Sequence, residues 1–525
     1  MEYGTPIFGT VACPAPEAPT THGRVRGENR DGVAVFRGIP YGQDTSGSRR
    51  FLPPEPAADW GGVRDCTKNG PICWQYAGSI PGQGIEGPYF SGGDAAPFGV
   101  KDEIMSENCL CLNVLTPGLD DKKRSVLVYI HGGGYFEGSG ALALGSDKFV
   151  REQDVVLVSM NHRLNMFGYL YLGAFDEKYA SSGMAGMLDL VLALEWVRDN
   201  IASFGGDPEK VTIMGESGGG SKVSTLLEMP AAKGLFRYAI VESGSRPVGT
   251  VSREEAAEYA KIVMQELNLT DWRQLLTVPA KDLFEVTGRT SFRTLSPVAD
   301  GIYLEPNPDK RFRAPDCSRD VTVVVGSSED EMASKYTRDC FNITRETLRD
   351  RLLAPTPAPV GPGITPPICT EETVDKVIEA LYATGKPGNS PAHQFYRALA
   401  QASGGGPYKE AMAYAQRGTA PVYQYLVSYD TPHPMYPDDP SLRFSWHTAD
   451  LPMQMRVVLH PEMEGLSRKL SSLLGAFVRN GDPSTEEITW PAFTQENQRT
   501  LVMDEEFRVE IAPLKPLIDA IEGKA

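Results

Sequence analysis

Apolar residues in this chain fall into short β-branched runs separated by longer stretches of helical period. The runs are Val126 to Ile130, Val155 to Met160, Val211 to Met214, Tyr238 to Val241, Val321 to Val325 and Pro421 to Tyr429. Each is short, mainly apolar and bounded by turn residues, the pattern of a strand covered on both faces. Between them, Met187 to Phe204 repeats Leu188, Leu190, Val191, Leu192, Leu194, Val197 and Ile201 at helical spacing. Residues 253–290 read as mostly helical and charged, and Glu462 to Val478 as an amphipathic helix. Strands alternating with helices predict an α/β fold with a mostly parallel sheet flanked by helices. In such sheets the ligand site lies beyond the carboxyl ends of the strands. Ahead of this core, Gly23 to Gly27 and Val33 to Phe36 predict an antiparallel hairpin, and Asn113 to Leu115 a further strand. Residues 51–108 are loop-rich and too long for a plain connector, so they are expected to shape a binding gorge. Ala354 to Pro367, rich in proline and glycine, reads as an irregular surface loop, part of a lid.

Composition narrows the function classes. The 525 residues carry a formal net charge of −17, with 41% hydrophobic and 23% charged residues. That balance fits a large packed core and disfavours nucleic acid or anionic membranes as partners, since both need basic patches. No run approaches eighteen apolar residues, so no membrane span is expected. Met1 to Pro19 lacks the basic and apolar regions of a signal peptide, which suggests a cytoplasmic protein or a mature secreted form. The eight cysteines form no C-x-x-C pair and no Cys/His cluster at zinc spacing. Neither a metal nor an organic cofactor is therefore expected.

Candidate chemistry centres on Gly215-Glu216-Ser217-Gly218-Gly219, which follows the apolar run 211–214 and precedes a helical stretch. This strand–turn–helix setting is the one a G-x-S-x-G nucleophile needs. Glycines beside the serine give room for a sharp turn, and the helix behind it aims N–H groups at an oxyanion. The strand at 125–130 runs into His131-Gly132-Gly133-Gly134-Tyr135, a loop of the type that donates amides to a tetrahedral intermediate. Gly133, Gly134 and Gly218 are the candidate oxyanion donors. A serine nucleophile needs a histidine base and a carboxylate, following it in the order Ser, acid, His on this type of fold. Of seven histidines, His22, His131 and His162 precede the serine, His393 lies in a helical stretch, and His433 and His460 adjoin prolines. His447 lies between the last strand and the last helix, where the base belongs. For the acid, the run 321–325 ends at Gly326, and Glu329, Asp330 and Glu331 follow on an acidic loop. One of the three is expected to turn inward, the others to be solvated.

These segments resemble the type-B carboxylesterase family, which includes carboxylesterases and cholinesterases. The resemblance rests on Phe36-Arg37-Gly38-Ile39-Pro40-Tyr41, Ser106 to Leu110, His131 to Tyr135, Asn161 to Leu164, Phe204 to Pro208, Gly215 to Gly219, Ser243-Gly244-Ser245 and Trp490-Pro491. It implies one α/β-hydrolase domain over 1–525 with insertions near 51–108 and 253–420. It implies a serine carboxylic-ester hydrolase working through an acyl-enzyme on a small-molecule ester, with no cofactor. It also implies Glu331 as the acid, His447 as the base, and Cys73 and Cys109 in the family's first disulfide positions. Alternatives are an esterase specialised for a lactone, carbamate or bulky natural-product ester, and a catalytically inactive binding relative. The sequence departs from the family at Asn108, where aspartate is usual, at Cys111, where an aromatic residue is usual, and at Gly218, where alanine is common. An N–H donor survives the last exchange, so it is expected to be harmless. No tryptophan of the choline-binding type aligns between Cys73 and Cys109, which argues against a choline-ester specialist.

Overall fold

A computed structural model describes residues 15–75, 104–287, 289–290, 295–333, 341–357, 364–402, 406–432, 439 and 441–524. Cys13, Cys340, His433 and residues 76–103 of the expected gorge loop lie outside them.

Eleven strands make the main sheet. In chain order they are β1 (Glu28–Arg30), β2 (Val33–Pro40), β3 (Cys111–Thr116), β4 (Arg124–Ile130), β5 (Val156–Met160) and β6 (Gly206–Glu216). Then follow β7 (Tyr238–Glu242), β8 (Thr322–Ser328), β9 (Val422–Val427), β10 (Arg499–Met503) and β11 (Arg508–Ile511). Their order across the sheet is β11-β10-β9-β8-β7-β6-β4-β5-β3-β2-β1. From β10 to β5 neighbours run parallel, as the alternation of strands and helices predicts. Antiparallel strands close both edges.

Strand alternation divides the core between two faces. Val126, Val128 and Ile130 of β4 join one apolar layer, while Leu127 and Tyr129 join the other. Helices α1 (Ala185–Asn200) and α2 (Gly218–Glu228) cover the first face. The second face is covered by α4 (Glu464–Asn480); α3 (Gly406–Arg417) packs on β8 and β9. By length and composition the stretch 177–204 could cross a bilayer, yet 78% of its most apolar window is buried in the protein. Within it Asp189, fully buried, accepts from Arg163 Nε at 2.9 Å and Nη2 at 2.7 Å. Such bidentate pairing offsets the cost of burying both charges.

The N-terminal hairpin differs from the expected pairing. Gly23–Arg26 pairs antiparallel with Glu17–Thr20 and parallel with Val63–Asp65 in a separate three-stranded sheet. The hairpin partner of β2 is instead β1. Gly27 marks the crossing: a side chain there would meet Val35 O at 2.4 Å, so the chain passes tight against β2 and cannot continue one ladder. In the proline-rich segment, Thr356–Pro357 and Ile364–Thr365 form a small ribbon, and its tip lies outside the described residues.

Candidate active site

Strand β6 runs to Glu216 and α2 starts at Gly218, so Ser217 alone makes the turn between them. Its φ of 57° and ψ of −122° lie where a non-glycine residue costs about 1–3 kcal/mol. Two backbone bonds hold it there. Ser217 N–H donates to Glu242 O at 2.8 Å, and Ser221 N–H donates to Ser217 O at 3.1 Å. The neighbouring parallel strand β7 thus clamps the elbow.

His447 Nε2 lies 2.8 Å from Ser217 Oγ, and His447 Nδ1 is hydrogen-bonded to Glu331 Oε2. A carboxylate on Nδ1 fixes the Nδ1–H tautomer and turns the Nε2 lone pair toward the serine. Glu331 is itself fixed: Oε1 accepts from Ser243 Oγ–H and from Ser328 N–H, the latter at 2.8 Å. His447 N–H donates to Glu331 O at 3.2 Å, joining the two loops a second time.

Strand β8 continues past Gly326 to Ser328, and all three carboxylates after it are buried. The expected solvated acidic loop is therefore corrected. Glu329 pairs with Arg397 at 2.9 Å. Asp330 accepts from Ser445 N–H at 3.3 Å, and its own N–H donates to Ser445 O at 3.0 Å. Burial, and then the Glu329 charge, push the Asp330 carboxyl well above its usual range. Among the three, Glu331 is the one bonded to His447.

Gly133 and Gly134 have φ of 81° and 62°, a region open to glycine. Among the described residues none of the Gly133, Gly134 and Gly218 amides has an acceptor. At position 218, where the family commonly has alanine, this chain has no room for a side chain. A Cβ there would sit 2.3 Å from both Gly134 N and Gly134 O. The glycine loop occupies the room a methyl group would need.

Several site residues escape sequence reasoning. Glu216 Oε1 lies 3.4 Å from His447 Nε2, a second carboxylate beside the imidazole; its signal was its place inside the elbow motif. Ser243 shares the turn after β7 and bears a positive φ of 49°. Below it Asp450 accepts from Tyr425 Oη at 3.0 Å and from Gln454 Nε2 at 3.2 Å. Burial, then the Glu331 charge, push Asp450 up to about 6.

Asp330, His393 and Asp430 bring ligand-type atoms within 4.8 Å of one another. They do not offer a metal site as they stand. His393 Nδ1 accepts from Ser390 N–H at 3.3 Å, and Nε2 lies 3.1 Å from Arg443 O and 4.0 Å from Asp430 Oδ1, so both ring nitrogens already have protein partners. Lys386 pairs with Asp430 and Asp504, supplying positive charge locally. The disulfide implied for Cys73 and Cys109 is not formed. Both are buried free thiols, and the Cys73 sulfur accepts Leu164 N–H at 3.2 Å. A hydrogen bond with Cys73, then burial, hold the Cys109 thiol protonated.

A doubly covered, mainly parallel sheet with the serine at a strand–helix elbow, and histidine and glutamate after later strands, defines an α/β-hydrolase. The sequence model of the carboxylesterase family matches residues 14–516, and the chain belongs to that family. Among curated proteins it is 30% identical over 519 residues to the para-nitrobenzyl esterase of Bacillus subtilis, covering 94% of this chain and 96% of the relative. Among solved structures, a carboxylesterase of Geobacillus stearothermophilus is 31% identical with a TM-score of 0.77, covering 96% of this chain and 99% of that one. An esterase of Clostridium hathewayi that can hydrolyse aliphatic aromatic polyesters is 28% identical with a TM-score of 0.78, covering 97% and 98%. The protein is an ester-hydrolysing enzyme.

Proposed function

We propose that ester hydrolysis proceeds through an acyl-enzyme on Ser217, with His447 as general base and acid, Glu331 as its orienting carboxylate, and the Gly133, Gly134 and Gly218 amides as the oxyanion hole. The observation that carries this reading is the unbroken chain Ser217 Oγ–His447 Nε2 at 2.8 Å, then Nδ1 to Glu331, at an elbow whose backbone is strained. Ser217 Oγ attacks the ester carbonyl as His447 Nε2 takes its proton. The carbonyl oxygen becomes anionic and is met by amide donors in a buried setting, a contribution of about 3–4 kcal/mol per donor. His447 returns the proton to the departing alcohol, and the ester C–O bond breaks. Water then attacks the acyl-enzyme by the same steps in reverse, releasing the acid. Glu331, hydrogen-bonded to Nδ1, orients the ring and stabilises the imidazolium. Glu216, 3.4 Å from the same ring, adds to that stabilisation.

The substrate class is small carboxylic esters, with aryl or benzyl esters the first to assay, since a relative is named for a para-nitrobenzyl ester. Ser217→Ala is expected to abolish turnover of p-nitrophenyl butyrate while leaving the melting temperature within a few degrees. An organophosphate label that mapped to Ser243 instead of Ser217 would overturn the assignment.

A further inference from the structure

Lys222 lies one turn beyond Gly218 on α2 and is fully buried. Among the described residues no carboxylate pairs with it. Its Nζ donates to His131 O at 3.0 Å and lies 5.6 Å from the centre of the Tyr135 ring, over which the Arg246 guanidinium also lies, at 4.7 Å. Burial, then the Arg246 charge, push the Lys222 ammonium well below its usual range. The surroundings match. His131 and His162 stack with ring centres 4.8 Å apart, and each Nδ1 bonds a backbone carbonyl at 2.9 Å. Burial pushes His131 down to about 3, and His162 also well below the usual range, so protonation is disfavoured at both rings.

The acceptor makes this lysine more than filling. His131 O belongs to the peptide that links β4 to Gly132, where the oxyanion loop begins. Ser217 and Gly218 start the helix that bears Lys222. Nucleophile and loop therefore sit on separate elements, and the Lys222 amine is a side-chain tie between them. A methionine would fill the same volume without that tie.

We propose that Lys222 is a positioning residue: its Nζ, through the His131 carbonyl, holds the glycine loop against the elbow and so sets the oxyanion hole. The proposal rests on the reading of Ser217 and the glycine amides given above. It is tested with Lys222→Met, which keeps length and removes the donor, and Lys222→Gln, which keeps an N–H donor on a shorter arm. Measured for each are kcat and KM on p-nitrophenyl butyrate, the inhibition constant of a trifluoromethyl ketone, the melting temperature, and organophosphate labelling. Lys222→Met is expected to lower kcat about tenfold to a hundredfold, below the full loss of an oxyanion donor. KM should stay within about twofold, and the ketone, whose adduct carries the oxyanion, should weaken by the same factor as kcat/KM. The melting temperature should hold or rise, and Lys222→Gln should fall between wild type and Lys222→Met. If Lys222→Met keeps kcat within about twofold while wild type labels at Ser217, the positioning role is wrong and the catalytic reading stands. Equal loss of kcat and melting temperature in both variants would assign Lys222 to packing alone and overturn the proposal. A wild-type enzyme that fails to label at Ser217 removes the underlying reading and this one with it.

Discussion

Gly218 illustrates how little room separates the two halves of the site. With Gly134 N and O each 2.3 Å from where a Cβ would lie, Gly218→Ala has to push the glycine loop away. The expected result is a fall in kcat of about 10²–10³, the size of losing one oxyanion donor, with KM little changed. Steady-state kinetics on an activated ester decide it; a variant within about twofold of wild type would mean that the loop yields freely. The proposed acid offers a second test at the same scale. Glu331→Gln should lower kcat by up to about 10⁴, the effect of replacing the triad carboxylate by an amide in a serine protease. Glu329→Gln acts differently, because Glu329 is buried against Arg397. It leaves a buried guanidinium without its counter-charge and should cost about 3–5 kcal/mol in urea unfolding, with kcat/KM of the surviving folded enzyme much less affected than by Glu331→Gln.

The ends of strands supply the site: β6 brings Ser217, β7 brings Ser243, β8 brings Glu331, and the segment after β9 brings His447. Ser243 gives the element-scale prediction. Its hydroxyl donates to Glu331 Oε1 from the turn of the adjacent parallel strand, so Ser243→Ala removes one of the two donors to that carboxylate oxygen. About a tenfold drop in kcat without loss of organophosphate labelling at Ser217 is expected; unchanged kinetics would make the bond incidental. Much of this arrangement is legible in the sequence. Core strands show because β-branched runs are bounded by turn residues, and the elbow shows because a serine among glycines follows such a run. The burial of Glu329 and Asp330 does not show. Their partners, Arg397 and Ser445, come from distant elements, Ser445 being 115 residues from Asp330, and nothing local distinguishes a paired carboxylate from a solvated one. The pairing of Gly23–Arg26 is hidden for the same reason, since either neighbour satisfies the same alternation. The tie from Lys222 is hidden because a lysine in a helix ordinarily reads as a solvent-facing residue.

Across the molecule, buried titratable groups set how stability depends on pH. Glu410 on α3 accepts from Ser224 Oγ at 2.7 Å and Tyr414 Oη at 3.2 Å, and burial pushes it up to about 7. The folded protein keeps a proton between about 4.5 and 7 that the unfolded chain has lost. Stability therefore falls as pH rises through that window, by about 3 kcal/mol from this group. Glu410→Gln removes the effect. Its melting temperature should drop less than that of wild type between pH 5 and pH 8, and parallel profiles would contradict the assignment. His131 works in the opposite direction. Held down at about 3, it remains neutral in the folded state while the unfolded chain takes up a proton below about 6.5. Its share of stability is complete above that value and is lost as pH falls toward 3.

The distance along the chain between the proposed reacting groups carries a kinetic consequence. Ser217 and His447 are 230 residues apart, and parallel strands close only through long crossovers. Early collapse and local helix formation can restore circular dichroism without bringing those two side chains together. Recovery of esterase turnover during refolding should then lag behind recovery of secondary structure, and turnover should report the arrival of β9 and the segment after it against β8. A single cut in the chain between β8 and β9, harmless to either half's helices, would slow that arrival by turning loop closure into an encounter between two fragments.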